Sequence, residues 1–275
     1  MASGDRRNLA LGKGGCRAMS VQNREELNMT SRFDGKVALV TGGSRGIGAS
    51  IARRLASEGA DIVLTYGGSK DKAEAVAEEI RGMGRKAEAV HCDASKRGET
   101  AKLVADVAAR YGRLDVLVNN SGVYPLTSLS KCTDETWDEM LAINVTAVFE
   151  GLRAAYQVMK PGSSIVTIGS VAGDSAQMAG VGVYSSSKAA AELITRAAGR
   201  EFGRKGIRAN VIQPGPIDTD MNPADGQTAE LQKMMVPLGR YGEADEVANA
   251  VAFLSSDEAS YINGTTLKVC GGMTA

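Results

Sequence analysis

The spacing of apolar and polar positions changes period repeatedly along the chain. Short apolar runs, the pattern left by parallel strands buried on both faces, predict strands at Val37–Val40, Asp61–Tyr66, Ala87–Cys92, Leu114–Val118, Ile165–Ile168, Ile207–Ile212 and Thr265–Val269. Between them the period lengthens to that of a helix. Ile47, Ile51 and Leu55 recur at four-residue spacing, and further helices are predicted over Lys72–Met83, Glu99–Tyr111, Asp134–Met159, Ala189–Phe202 and Glu243–Ser255. Strand and helix alternate from Lys36 onward, which predicts an α/β fold on a parallel sheet. Residues 1–33 lack this periodicity and read as a disordered N-terminal extension, with Met19 and Met29 as alternative starts, ahead of a single domain over 34–275. Asn222–Tyr241, rich in Pro, Gly, Met and polar residues, reads as an insert able to cover the sheet edge as a lid.

Composition narrows the function classes. The 275 residues are 43% hydrophobic and 23% charged, ordinary values for one large domain. A formal net charge of zero carries no signal for nucleic acid. No apolar run approaches the roughly 18–20 residues of a membrane span. Cys16, Cys92, Cys132 and Cys270 are too far apart for a zinc site and read as free thiols of a reducing, cytoplasmic compartment. The single histidine, His91, reads as a strand end, so neither a His-rich metal site nor a hydrolase triad is expected.

The chemistry gathers at strand ends. Val37–Val40 runs into Thr41-Gly42-Gly43-Ser44-Arg45-Gly46-Ile47-Gly48 and then a helix. In this order of strand, glycine turn and helix, Gly42, Ser44, Gly46, Ile47 and Gly48 bring backbone N–H groups and a helix N-terminus against a phosphate. The second strand ends in Tyr66-Gly67-Gly68-Ser69-Lys70, with no carboxylate before Asp71 to meet a ribose 2′-hydroxyl. With Arg45 in the turn and Tyr66 and Ser69 opposite, a 2′-phosphate fits better, and NADP(H) is expected over NAD(H). Asp93, after the third strand, suits either an adenine edge or the N-cap of the next helix. Asn119-Asn120-Ser121-Gly122 ends the fourth strand, Ser170 follows the fifth, and Pro214, Gly215, Ile217 and Thr219 follow the sixth. All of these open on the crevice at the carboxyl ends of the strands, where ligands of such sheets bind. Asn144 lies in a predicted helix among Leu141, Ile143, Val145 and Val148, and its amide needs partners if buried, as local structure or as part of a site.

Tyr-x-x-x-Lys occurs three times, at Tyr66/Lys70, Tyr156/Lys160 and Tyr184/Lys188. On a helix such a pair shares one face. A cation at about 4 Å, at an effective dielectric of about 20, favours tyrosinate by roughly 4 kcal/mol, enough to draw a phenol from about 10 towards neutrality. Two glycines between Tyr66 and Lys70 argue for a loop. Lys160 closes a helix before Pro161-Gly162 and reads as a helix C-terminal cation. Tyr184/Lys188 alone opens a helix that follows a strand-end serine.

From Phe33 to the C-terminus the chain resembles the short-chain dehydrogenase/reductase family. The resemblance rests on the glycine turn, Asp93, Asn119-Asn120-Ser121-Gly122, Asn144, Ser170, Tyr184/Lys188 and Pro214-Gly215 in the family's order. Pro237-Leu238-Gly239-Arg240 and Ala259–Gly264 are similar to the 3-oxoacyl-carrier-protein reductases. The resemblance implies a single-domain, Rossmann-type, doubly wound seven-stranded parallel sheet with helices on both faces, NADP(H), and a homotetramer. It implies catalytic roles for Ser170 as holder of the substrate oxygen, Tyr184 as acid/base, Lys188 on the nicotinamide ribose and the tyrosine pKa, and Asn144 as holder of a water linking Lys188 to solvent. Ser121 stands where relatives carry alanine, and Cys270 where they carry aspartate. The expected activity is transfer of a hydride between nicotinamide and a ketone or secondary alcohol. The alternative is a nucleotide-binding regulatory protein on a reductase fold, a branch that the stretches Gly169–Asp174 and Pro214–Asp220 also resemble.

Overall fold

The computed structural model describes residues 32–176 and 178–275. Seven parallel strands, β1 (Val37–Val40), β2 (Asp61–Tyr66), β3 (Ala87–His91), β4 (Val116–Asn119), β5 (Ser164–Ile168), β6 (Arg208–Pro214) and β7 (Thr266–Val269), lie in the order β3-β2-β1-β4-β5-β6-β7. The helices are α1 (Gly46–Ser57), α2 (Lys70–Gly82), α3 (Glu99–Tyr111), α4 (Asp134–Leu141), α5 (Ala147–Val158), α6 (Gly182–Phe202), α7 (Ala229–Met235) and α8 (Ala244–Ser255). This is the doubly wound α/β sheet expected from the sequence.

The central strands β1, β2 and β4 are largely apolar because each feeds two cores. Ala38 and Val40 enter the core under α1, α2 and α8, and Val37 and Leu39 the core under α3, α5 and α6. β2 and β4 alternate likewise, with Ile62, Leu64, Val116 and Val118 on one face and Val63 and Leu117 on the other. The register of β1 on both neighbours, Val40 against Leu64 and Val40 against Val118, brings their carboxyl ends level. The order reverses at β1, so the crevice between the β1 and β4 ends is the switch point where such sheets bind ligands.

Beyond shifts of a few residues at element ends, three features depart from the sequence reading. The ordered fold starts before residue 34: Phe33 is fully buried in the first core, and the Arg32 guanidinium grips both oxygens of the buried Glu58 carboxylate at 2.6 and 2.7 Å. The rest of the expected extension, residues 1–31 and Cys16 with them, lies outside the described residues. The helix expected over Asp134–Met159 is two helices joined by a π-turn at Ala142–Thr146, with Asn144 at its centre. The expected insert contains α7, and its ends are clamped where Asp218 N–H donates to Gly242 O and Gly242 N–H to Pro216 O, both at 2.9 Å.

Candidate active site

The glycine turn after β1 is held from both sides. Gly42 N–H donates to Thr65 Oγ1 at 2.9 Å and Gly43 N–H to Thr65 O at 2.8 Å. Asn120 Nδ2 donates to the carbonyls of Thr41 and Gly42, each at 2.9 Å. Gly42 and Gly46 have φ of 65° and 54°, the left-handed region that glycine alone enters freely. A Cβ on Gly48 would collide with Gly42 O and lie 2.5 Å from Asn120 Nδ2. α1 starts from Arg45 with no side-chain cap and no acidic residue in its first turn. Its leading N–H groups and positive dipole end therefore face the cleft as an anion cradle.

From this turn a cleft of about 480 Å³ runs along the strand ends. Gly42, Ser44, Arg45, Gly46, Ile47, Gly48, Ser69, Asp93, Asn120, Gly122, Ser170, Tyr184, Lys188, Pro214, Gly215, Ile217 and Thr219 all line it. Tyr66 does not. Ile62, Leu64 and Tyr66 share the strand face that packs on the first core, and the Tyr66 ring sits edge-on to His91 with centroids 5.6 Å apart. Its neighbour Thr65, on the opposite face, reaches the glycine turn instead. Asp93 lines the cleft, but its carboxylate is occupied by Ser95, which donates its N–H at 3.1 Å and its hydroxyl at 2.6 Å. These bonds hold Asp93 below the usual carboxylate range. The next helix is capped by Gly98 rather than Asp93.

At the other end of the cleft Ser170, Tyr184 and Lys188 converge. Ser170 lies two residues beyond β5 and its Oγ accepts the Ala172 N–H at 3.1 Å, with its hydroxyl beside that of Tyr184. Tyr184 is in the first turn of α6 and Lys188 one turn later, so the pair shares a helix face as expected. Lys188 is buried, with 6% exposure, and Nζ donates to Ile168 O at 3.0 Å. Burial with no carboxylate partner lowers its pKa to about 8. The expected lowering of the tyrosine is not found. Nζ lies 5.8 Å from the Tyr184 ring centroid, and burial pushes the Tyr184 hydroxyl up to about 12, opposed by the neighbouring Ser170 hydroxyl. The phenol is thus a proton donor at neutral pH.

Asn144 is almost fully buried, and its amide serves the architecture around these groups. Oδ1 accepts from Val123 N–H at 2.9 Å, and Nδ2 donates to Val123 O and Ser187 Oγ, both at 3.0 Å. It ties the loop after β4 to α6 beside Lys188. A Cβ on Gly122 would lie 3.3 Å from Asn144 Oδ1 and 3.4 Å from Lys188 Nζ. Both ends of the amide are thus engaged by protein partners. Sequence reasoning missed Tyr124, whose ring meets Tyr184 edge-on at 4.6 Å, and Met178, Val181 and Met273; Met221 and Met235 of the expected insert also line the cleft. Among the described residues no group of three or more His, Cys, Asp or Glu is placed to hold a metal ion.

The buried ammonium has a thermodynamic signature. Between about pH 8 and 10.5 the unfolded chain carries a proton on Lys188 that the folded chain has lost. Stability contributed by this residue therefore rises with pH across that window, and at pH 7 its burial is a net penalty. Lys188→Met keeps the apolar stem and removes the charge. It is expected to raise the unfolding temperature at pH 7 by a few degrees and to shrink that gain towards pH 10, as followed by differential scanning calorimetry. A lower unfolding temperature at both pH values contradicts this.

A doubly wound parallel sheet, a glycine cradle at its switch point and a Ser-Tyr-Lys cluster further along define a dinucleotide-dependent oxidoreductase scaffold. The comparisons with known proteins give the family. A family model described as enoyl-(acyl carrier protein) reductase matches residues 42–274. The cyclic-di-GMP-binding biofilm dispersal mediator protein of Escherichia coli is 39% identical over 88% of this chain and 99% of its own. The 3-oxoacyl-[acyl-carrier-protein] reductase of Staphylococcus aureus is 40% identical over 86% of this chain and 98% of its own. A short chain dehydrogenase from Burkholderia cenocepacia, solved in complex with NADP, superposes with a TM-score of 0.88 at 43% identity, covering 89% of this chain and all of that one. The chain belongs to the short-chain dehydrogenase/reductase family.

Proposed function

We propose that the protein is an NADP(H)-dependent reductase of small-molecule ketones, working in reverse on secondary alcohols. The observation that carries this is the convergence of Ser170, Tyr184 and Lys188 at one end of the cleft whose other end is the glycine cradle. The cradle fits a dinucleotide: Gly42 and Gly46 hold the turn in left-handed backbone, the α1 N-terminus is uncapped, and Arg45 and Ser69 line the cleft with no carboxylate at the carboxyl end of β2. When bound, the nicotinamide supplies or receives the hydride. Ser170 donates to the carbonyl oxygen and orients it. Tyr184, protonated at neutral pH, delivers its proton as charge develops there. Lys188, largely protonated below pH 8, stabilises the tyrosinate left behind. Met221, Met235 and the Tyr124 ring line the cleft and offer the substrate an apolar wall.

A homotetramer in the cytoplasm belongs to the same reading. Exposed Phe149 and Leu193, at 44% and 65%, together with the open edge of β7, support association of copies. Cys92, Cys132 and Cys270 are free thiols, in keeping with a reducing compartment. No described helix is long and apolar enough to cross a membrane.

The Escherichia coli relative, by its description a cyclic-di-GMP binder, favours the second reading, a nucleotide-binding regulator. The retained Ser170, Tyr184 and Lys188 speak for the enzyme, because binding alone requires none of the three together. Oxidation of NADPH and NADH over a panel of ketones, β-ketoesters and quinones separates the two. The enzyme reading expects turnover of at least one carbonyl with kcat/KM at least about tenfold higher for NADPH, about 1.4 kcal/mol of discrimination. Tight dinucleotide binding with no turnover on any compound supports the regulator.

A further inference from the structure

The end of the cleft beside Arg45 holds two further charges that the reading above does not use. Lys72, in the first turn of α2, places Nζ 2.9 Å from Asp220 Oδ2. Arg45 Nη1 lies 3.6 Å from the same oxygen. The three side chains are about half exposed and come from three separate segments: the glycine turn, α2, and the strand-end loop that leads into the insert. The Lys72 ammonium, and to a smaller extent Arg45, hold the Asp220 carboxyl below its usual range. Beside them is room: a Cβ on Gly67 or Gly68 would meet nothing within 4 Å. Ser69 lines the cleft there with its hydroxyl unused as a cap for α2.

We propose that Lys72 is a second cationic ligand of the cofactor's 2′-phosphate, beside Arg45, and that Asp220 is an internal competitor which holds both cations when that phosphate is absent. The inference rests on the NADP(H) reading. Two cations and one carboxylate leave a single positive charge at the site. A phosphate monoester carries close to two negative charges at pH 7, so it can neutralise both cations once Asp220 lets go. A ribose 2′-hydroxyl carries no charge and cannot displace the carboxylate. The carboxylate is tethered and always present, so it lowers affinity for the 2′-phosphorylated cofactor and speeds its departure by returning to Arg45 and Lys72. Because Asp220 directly precedes Met221 of the substrate wall, release of the carboxylate also frees the start of the insert.

Each exposed ion pair is worth a modest amount, so the effects are modest and selective. Dissociation constants by titration calorimetry, and dissociation rates by stopped-flow fluorescence, are measured for NADP⁺ and NAD⁺, with adenosine 2′,5′-bisphosphate and ADP as fragments. Asp220→Asn is expected to tighten NADP⁺ and adenosine 2′,5′-bisphosphate about three- to tenfold, mostly through slower dissociation, with less than about twofold change for NAD⁺ and ADP. Lys72→Ala is expected to weaken the 2′-phosphorylated ligands about threefold or more and spare the others. Equal effects on both ligand classes, or none in either variant, overturn the proposal while a wild-type preference for NADP⁺ leaves the cofactor reading standing. Wild-type protein with no preference for NADP⁺ over NAD⁺ overturns that reading and this proposal with it.

Discussion

Tyr184→Phe is expected to lower carbonyl reduction by about 10²- to 10⁴-fold, the usual worth of a positioned acid/base, and to leave dinucleotide affinity within about twofold. The substitution keeps the ring, so the edge-on contact with Tyr124 at 4.6 Å survives. It removes only the hydroxyl, which stands beside Ser170 and near Lys188. Because burial keeps that hydroxyl protonated far above neutral pH, the wild-type enzyme has its donor loaded at every physiological pH, and the variant has none. Steady-state rates with NADPH and the best ketone, with Kd from nucleotide fluorescence, check both halves. A rate loss accompanied by an equal loss of affinity contradicts the assignment, since it points to a binding role for Tyr184.

Gly48→Ala acts at the opposite end of the cleft and through the backbone. The added methyl collides with Gly42 O and crowds Asn120 Nδ2 at 2.5 Å. Neither neighbour can yield cheaply: Gly42 is pinned to Thr65, and Asn120 bonds two carbonyls of the turn. Overpacking of this kind costs about 1–3 kcal/mol, which for a chain of this size lowers the unfolding temperature by about 2–10 °C. Displacement of the cradle is expected to weaken dinucleotide binding at least about tenfold. Gly67→Ala is the control, because a methyl there meets open space, and its unfolding temperature is expected to match wild type. Calorimetry with and without dinucleotide reads both effects. An unchanged Kd in Gly48→Ala contradicts the placement of the cofactor phosphates on this turn.

Tyr66 and Thr65 show how far the sequence carries. The strand itself is legible because Asp61–Tyr66 is apolar on both faces, and its glycine-rich end marks a turn at the cleft. Which end residue faces the turn depends on the absolute phase of the two-residue alternation, and an apolar run on both faces hides that phase. Thr65 therefore contacts the glycine turn, and Tyr66 packs on His91. Asn144 teaches the same lesson for helices. One extra residue in a turn barely disturbs an apolar pattern, so the π-turn at Ala142–Thr146 is invisible in it. The turn and the amide bonds to Val123 and Ser187 emerge only when the loop after β4 and α6 are side by side.

Electrostatics was legible in kind but not in sign. The Tyr184/Lys188 spacing does place both groups on one face of α6. The balance between attraction and desolvation depends on depth, which spacing does not encode, and in the folded chain burial dominates both groups. Asp220 was hidden for a different reason. The absence of a carboxylate at the β2 end is real along the sequence, yet the loop after β6 brings one back to Arg45 in space.

A cleft that moves a hydride from NADPH to a carbonyl carbon, with Tyr184 supplying the proton, must deliver the cofactor's own hydrogen to the product. The most direct measurement uses NADPH deuterated at the transferring position of the nicotinamide, with the preferred ketone of the panel and mass analysis of the alcohol. One deuterium is expected on the carbinol carbon for each NADPH consumed by wild-type protein, and a rate lower by about 10²-fold or more in Tyr184→Phe. Tight binding of the labelled cofactor with no deuterium delivered to any carbonyl would contradict it.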